Sequence, residues 1–404
     1  MAQGTPRDRA SVSADTLRLT LMQARALAVR ANPDLRAARL DVDIARGELR
    51  QAGLVLRFNP EADILTRGAG TELSLAQEFE IAGQRNARQR AAVADLDRSG
   101  ASVTDVVRTT IGDVDRAFYR FFAADQRAVL AREILDLNQR LAEMSQRKLE
   151  AGEISKLDYN LVAIEYGRSR ARTLATQRER DEVTAELRRL LGLEPRAPIL
   201  AVMDSGSIVA RLDDDSLAAF ALERRPDLAE RTAAVRAANA QVSVARREAM
   251  PNLLFRVSSE RVEGSGSREL RPGLGFTLPA FNRNQGEVQA RQAATLQAEL
   301  ARTSLSARVR VEVSRAAGSY RAAAAETDVL RTTVLAPARE NRALLETAYR
   351  EGKVGLPVLL LIRNQVIDSE LEYWDAWLAE QVALADLVEA TGETVVGFNP
   401  RPAP

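Results

Sequence analysis

The sequence of 404 residues contains no cysteine and no histidine. Without cysteine there is no disulfide, no thiolate metal site, no thiol nucleophile and no cysteine for N-terminal lipidation. Without histidine the chain lacks the most frequent general base and the commonest transition-metal ligand. Asp, Glu, Lys or Tyr could still act in catalysis, but no constellation of these residues in the sequence supports an enzyme. The sequence therefore predicts a protein that is not an enzyme and has no catalytic residues, no metal site and no cofactor.

The chain also has little net charge and few aromatic residues. Its 57 basic and 56 acidic residues leave a net charge of +1, and aromatics make up 4%. A nucleic-acid binder would show a basic excess, so no nucleic-acid partner is expected. Abundant Ala, Arg, Leu and Glu are typical of long helices with salt-bridged faces.

Long apolar runs are missing as well. No stretch reaches the roughly 18–20 apolar residues of a transmembrane helix, and the opening "MAQGTPRDRASVSAD" is too polar for a secretory signal. Two interpretations follow at this point. The protein is soluble and cytoplasmic, or it is exported and its signal has been removed.

What the chain does have is an internal duplication. "ANPDLRAARLDVDIARGELRQAG" from Ala31 is echoed by "RRPDLAERTAAVRAANAQVSVAR" from Arg224, and "RKLEAGEISKLDYNLV" from Arg147 by "TAYREGKVGLPVLLLI" from Thr347. A repeat at half the chain length means that one structural unit is used twice. We predict a first repeat at 17–205 and a second at 206–396, between an N-terminal tail (1–16) and a C-terminal tail (397–404).

Each repeat contains two segments that alternate between apolar and polar residues. Period-two alternation indicates strands with one apolar face. In the first repeat Leu73, Leu75 and Phe79 alternate with Ser74 and Glu78. The sequence predicts a strand hairpin in each repeat and four strands in all, at about 57–66, 72–81, 253–262 and 270–279.

The remaining segments have helical periodicity, which places the chain in the mainly α class with a small β part. Duplicated long α-helical hairpins are expected, and Pro337 should kink or briefly break the second long helix. The predicted short helices run from near Thr16 to Asn32 and from Asp34 to Gln51, the long helices from Gln84 to Ala151 and from Gln285 to Glu351, and the return helices from Ser155 to Leu191 and from Pro357 to Thr391.

Four amphipathic strands leave an apolar face and two edges without protection. They are too few to close a barrel. Three copies would supply twelve strands of about 10 residues, apolar outside and polar inside, as in a membrane-spanning barrel with a wet lumen. The alternative is a soluble coiled-coil scaffold whose hairpins pack on its own helices.

The chain resembles the TolC-type outer-membrane factor family over roughly Leu17 to Gly392. The resemblance rests on "NPDLRAA" and "RPDLAER" opening the repeats, on "SLAQEFEIAGQRNAR" and "LPAFNRNQGEVQAR", and on the stretch "APARENRALLETAYREGKVGLPVLLLIRNQVIDSELEYWDAW". The segment "QEFEIAGQR", Gln77 to Arg85, is similar to the cobalt–zinc–cadmium resistance branch. That branch favours divalent metal ions as the exported substrate.

The resemblance implies a homotrimer with a 12-stranded barrel in outer-membrane lipid and an α-helical tunnel that extends into the periplasm. It implies a passive duct of a tripartite efflux system, with a periplasmic adaptor protein and an inner-membrane RND transporter as partners. It further implies that an export signal is missing from this chain. Within the family, a drug-efflux duct or a type I secretion duct stays open.

The resemblance also implies a site for the adaptor at the turns between long and return helices. The family's tip triplet matches Val354, Gly355 and Leu356, and the alternative is that the turn glycines only cap helices. The expected docking residues are Gly152, Glu153, Ile154, Ser155, Gly352, Lys353, Val354, Gly355 and Leu356.

The sequence indicates less directly which residues would line the aperture beside the tips. Some family members ring it with aspartates just after the triplet, but this chain has Leu359 to Asn364 there, with no acid. A leucine constriction can gate by dewetting, although such leucines also pack between helices. The candidate aperture residues are Leu360, Leu361, Asn364 and Asp158.

Overall fold

The computed structural model describes residues 16–67, 70–203, 213–261 and 268–392. The tails predicted at 1–16 and 397–404, apart from Thr16, and the repeat boundary at 205/206 lie outside these residues. The chain divides into two compact units. The strand unit comprises residues 36–106 and 225–309, and the tip unit comprises the described residues up to 35, 107–224 and from 310 onward.

The two halves of the chain present the same order of elements. The first half contains β1 (Leu17–Leu19), α1 (Leu21–Ala31), α2 (Pro33–Ala52), β2 (Glu61–Arg67), β3 (Gly70–Phe79), α3 (Gln84–Glu150) and α4 (Lys156–Leu190). The second contains β4 (Ile199–Ala201), α5 (Asp214–Arg224), α6 (Pro226–Glu248), β5 (Leu253–Arg261), β6 (Arg268–Phe276), α7 (Gln285–Val329), a π segment (Leu330–Leu335), α8 (Ala336–Arg350) and α9 (Leu356–Thr391). The mainly α class with duplicated helical hairpins is confirmed, whereas the exact bounds of the repeats stay a prediction. Among the described residues, no helix combines the length and the apolar content needed to cross a membrane.

The start of the chain corrects two predictions. Residues Leu17–Leu19 form a strand rather than the first turn of a helix, and they pair in parallel with Ile199–Ala201. The described residues therefore hold six strands, not four. Helix α1 begins only after Thr20, whose hydroxyl accepts from the Gln23 amide while the Gln23 side chain accepts from the Thr20 amide. This reciprocal capping box fixes the helix start.

Pro337 interrupts the second long helix as expected. A proline has no N–H and its ring clashes with the carbonyl one turn earlier, which here belongs to Thr333. The turn before Pro337 accordingly widens into the π segment, after which α8 continues as a regular helix. The prediction of a local break is confirmed.

In the strand unit, β2, β3, β5 and β6 form an antiparallel sheet in that order. Strand β2 starts at Glu61 rather than near residue 57 because Pro60 donates no hydrogen bond to the ladder. The register aligns apolar side chains across the sheet, as in the row Ala62, Leu75, Val257 and Pro272, and Ile64 and Leu270 lie on the same face. Ile64 and Leu270 are exposed by 72% and 73%, so no part of the described chain covers this face.

The opposite face of the sheet is polar and internally bonded. Asp63, Ser74 and Ser258 lie side by side in one row. The Ser74 hydroxyl donates to Asp63 Oδ2 at 3.3 Å, and Arg256 Nη1 donates to the same carboxylate oxygen at 3.3 Å. The predicted division into an apolar and a polar face is confirmed.

In the tip unit, an aromatic core joins α3, α9 and the π segment. Trp377 of α9 packs edge-on against Tyr119 with ring centroids 6.1 Å apart and lies 5.4 Å from the ring of Phe122. Leu330 and Leu335 of the π segment are buried in the same cluster. Trp377, which is 2% exposed, therefore packs between helices.

Candidate docking site at the helix turns

The turn between α3 and α4 and the turn between α8 and α9 have the same backbone. Gly152 and Gly352 adopt left-handed φ angles of +74° and +71°. The next residue in each turn, Glu153 or Lys353, donates its amide hydrogen to a carbonyl five residues earlier, at 2.8 Å in both cases. These are Schellman caps, in which glycine avoids the strain that a Cβ would bring. The helix-cap role of Gly152 and Gly352 thus follows from the geometry.

The two turns differ in how the return helix begins. Ser155 caps α4: its hydroxyl oxygen accepts from the Asp158 amide at 3.0 Å and its O–H donates to Asp158 Oδ2 at 2.7 Å. Gly355, at the equivalent position of α9, has no side chain to cap with, and Pro357 follows in the first turn. The second turn therefore presents a barer backbone than the first.

Among the residues that the structure describes, none requires glycine at position 355. Its backbone is ordinary extended structure, with φ −80° and ψ 164°. A Cβ at this position would meet only Pro357 Cδ, at the ordinary contact distance of 3.7 Å. Gly355 is also exposed. Its chain-internal neighbours would tolerate a side chain, in contrast to the strained positions of Gly152 and Gly352.

The structure brings the two turns together. Leu356 of the second turn and Leu360 of α9 pack with Leu141 of α3 and Val162 of α4. The tip residues Glu153 and Lys353 are exposed, and Ile154 and Val354 are half-buried. One apolar cluster thus holds both predicted docking turns at the same end of the tip unit.

The candidate aperture residues separate into different environments. Leu360 is buried, with 7% of its surface exposed, whereas its neighbour Leu361 is 62% exposed. Asn364 and Asp158 are half-buried, and the Asp158 carboxylate accepts from Ser155 as described above. Leu360 is therefore engaged in packing between helices, and Leu361 is the leucine that is free to face a lumen or a partner.

An arginine that sequence reasoning missed joins three helices of the tip unit. Arg127 of α3 pairs with Glu179 of α4 at 2.7 Å and with Asp375 of α9 at 2.9 Å. Its side chain is only 13% exposed. In the sequence Arg127 looks like one more charge on a solvated helix face, and no local signal distinguishes it.

A second ion pair fixes α1 against α3. Arg25 Nε and Nη2 donate to the two carboxylate oxygens of Asp115 at 2.7 and 2.5 Å. Burial raises the pKa of Asp115. The ion pair with Arg25 lowers that pKa, but this effect is smaller than the effect of burial. Burial alone would lower the pKa of Arg25, but Asp115 outweighs it and raises that pKa. Both shifts are typical of a buried, desolvated ion pair, in which each charge needs its partner.

Known proteins share this architecture. The family model described as outer membrane efflux protein matches residues 24–193 and 217–393. The cobalt-zinc-cadmium resistance protein CzcC of Cupriavidus metallidurans is 26% identical over 88% of this chain and 85% of its own length. Protein CyaE of Bordetella pertussis is 30% identical over 62% of this chain, and the aligned part spans 56% of CyaE. The CmeC outer membrane channel of Campylobacter jejuni superposes with a TM-score of 0.79 at 15% identity, covering 94% of this chain and 86% of CmeC.

The matched ranges include both helical hairpins, all four strands of the antiparallel sheet and both tip turns. The likeness to CmeC concerns the fold, since the identity is low. The family match extends over far more than half of the chain. The chain therefore belongs to the outer membrane efflux protein family, whose members are channel proteins of the outer membrane rather than enzymes.

Proposed function

We propose that three copies of this chain form a passive duct that exports divalent metal ions. The proposal of a duct rests on the four-stranded sheet. In the described residues this sheet has one exposed apolar face, one polar face and two unpaired edges. Each unpaired edge exposes backbone groups that lipid cannot satisfy, so a sheet enters a membrane only when its edges close. Twelve strands from three copies form a closed barrel, with the apolar face toward lipid and the polar face toward water.

Metal ions are the proposed substrate because of CzcC, whose name states cobalt, zinc and cadmium resistance. The segment Gln77 to Arg85 adds no independent support, because its side chains serve the junction between β3 and α3. Gln84 Nε2 donates to Asn252 Oδ1 at 2.9 Å, and Arg85 Nε donates to the Gly53 carbonyl at 2.8 Å. The proposal for the substrate thus rests on the relative and not on a metal-binding group.

We propose further that the turns at Gly152–Ser155 and Gly352–Leu356 dock a periplasmic adaptor, which connects the duct to an inner-membrane RND transporter. The exposed Gly355, which no contact within the chain requires, supports a close approach by another backbone at this position. We assign the aperture to the exposed Leu361 rather than to the packed Leu360. Asn364 and Asp158 stay secondary candidates.

Gene deletion tests the substrate. In a strain that lacks this protein, growth should fail at zinc, cobalt or cadmium concentrations that the parent tolerates, and the wild-type gene should restore it. Sensitivity to drugs in place of metals would overturn the metal assignment and retain the duct. Unchanged growth on all of these compounds would overturn the efflux function itself.

A further inference from the structure

The connections between the sheet and the helices differ in length according to their place in the sheet. The inner connections, residues 80–83 after β3 and residues 249–252 before β5, have four residues each. The edge connections, residues 53–60 before β2 and residues 277–284 after β6, have eight residues each. Strands β3 and β5 are neighbours in the middle of the sheet, whereas β2 and β6 are its two edges. The four extra residues of each edge connection therefore lie at the two unpaired edges of the described sheet.

Polar groups of the inner connections and of the residues next to them link the two connections. Arg247 Nη1 donates to the Ala82 carbonyl at 3.0 Å. Asn252 links the two sides, since it accepts from Gln84 Nε2 at 2.9 Å and donates to Glu78 Oε1 at 2.7 Å. Within one chain, the exit from β3 is thus joined to the approach to β5.

The exit from β6 ends with the same local geometry as the exit from β3. Gln285 Oε1 accepts from the Arg283 amide at 2.8 Å, as Gln84 Oε1 accepts from the Ala82 amide at 2.8 Å. Asn284 takes the left-handed conformation of Gly83, with φ angles of +57° and +78°. The connection after β3 lies beside the connection that leads into β5. Because β6 is an edge strand of the described sheet, the connection after β6 has no such neighbour within the chain as described.

Both edge connections contain apolar residues that are exposed. Leu54, Val55 and Leu56 are consecutive and expose 42%, 71% and 48% of their surfaces. Leu278 and Phe281 expose 72% and 95%. Each Å² of apolar surface left in water costs about 25 cal/mol relative to burial, and runs of consecutive exposed apolar residues mark a contact surface unless they are faults. Strands β2 and β6 lie three strand spacings apart, about 14 Å, so the two edge connections of one chain leave the sheet at its opposite edges.

We propose that the edge connections of neighbouring copies pack against each other, with Leu278 and Phe281 of one copy against Leu54–Leu56 of the next. The occupant is a second copy because closure of the sheet places β6 of one chain beside β2 of another, and the inner connections show how an exit and an approach meet at such a junction. The proposed contact between edge connections of neighbouring subunits is apolar. The corresponding contact between the inner connections of one subunit is polar. The inference rests on the proposed trimer.

Cross-linking tests the contact directly, since the chain has no native cysteine. The double variant Val55→Cys/Phe281→Cys, assembled in native outer membrane and treated with a short bis-maleimide, should convert monomer into covalent dimer and trimer on denaturing gels. Leu40→Cys/Phe281→Cys is the matched control. Leu40 is also exposed, by 60%, but lies about 18 Å along α2 from its end. This control and each single variant should stay monomeric on the gel.

The outcomes separate the inference from the proposed function. A trimer in mild detergent without cross-links between positions 55 and 281 would overturn the contact alone. In that case Phe281 faces lipid or solvent, and Phe281→Cys would react fully with a monofunctional maleimide in the assembled protein. A protein that is monomeric in detergent would overturn both the contact and the duct. A second variant gives an independent measure: Phe281→Ser should lose trimer on dilution in detergent, and Leu40→Ser should not.

Discussion

At the residue scale, the three glycines at the helix turns have two different roles. Gly152 and Gly352 have left-handed backbones that terminate their helices, and this role needs no partner protein. Gly355 has an ordinary backbone, and an added Cβ would make only one ordinary contact, with Pro357 Cδ. A substitution there changes what can approach the turn while leaving the turn itself unchanged.

This difference predicts the behaviour of variants at position 355. Gly355→Trp should leave folding and trimer assembly intact, because Gly355 is exposed and an added Cβ meets only Pro357 Cδ, at 3.7 Å, but should abolish efflux by blocking close approach. Gly355→Ala is the matched control and should assemble and export normally. Trimer yield from membranes and metal resistance of the complemented deletion strain measure the two effects. Normal resistance with Gly355→Trp would remove the docking assignment.

The buried pair of Arg25 and Asp115 predicts a stability effect at the same scale. Asp115→Leu leaves the Arg25 charge buried without a partner and should cost about 3–5 kcal/mol. The double variant Arg25→Met/Asp115→Leu should recover most of that loss, because two apolar side chains replace both charges. The midpoint of thermal loss of helical circular dichroism in detergent reports the change. Equal midpoints for the single and double variants would contradict this account of the pair.

At the scale of elements, the sheet has two faces that tolerate different side chains. Leu75 lies on the apolar face and is 53% exposed in the single chain, whereas Ser258 lies on the polar face beside Ser74. An arginine toward lipid costs about 2–4 kcal/mol at the bilayer midplane, whereas lumen positions accept charge. Leu75→Arg should therefore lower the amount of assembled protein in outer membranes, and Ser258→Arg should not. Similar loss for both variants would contradict the assignment of the faces.

Much of the element structure was predictable from local pattern, and the failures have a common cause. Period-two alternation located all four strands of the sheet within a few residues, and Pro337 indicated the helix break. The pair of β1 and β4 was missed because its partners, such as Leu17 and Ile199, are far apart in sequence and each strand has only three residues. Arg127 was missed for the same reason, since its partners Glu179 and Asp375 lie on other helices.

The candidate site was predictable to a similar extent. The turn residues were located by the duplication and by the tip triplet, and both turns are present with Gly152 and Gly352 in matching conformations. The difference between Leu360 and Leu361 was not accessible, because helical periodicity alone does not tell which face meets Leu141 and Val162. The edge connections were also missed, although a comparison of loop lengths between the repeats would have found them.

At the scale of the whole molecule, the proposed duct makes each chain one third of a closed structure. Within the described residues, the sheet has an apolar face without a cover and two edge strands without a neighbour. A lone copy with this sheet would aggregate through its edges or bind detergent. The proposed assembly around a threefold axis would pair the edge strands, cover the apolar face with lipid and bury the edge connections together.

The most direct test of this account is the native mass of the purified protein in mild detergent. We expect a particle of three chains that holds a detergent micelle and aggregates when the detergent is removed. A single chain that stays monodisperse in detergent-free buffer would contradict the account, because its sheet would then need neither lipid nor neighbours.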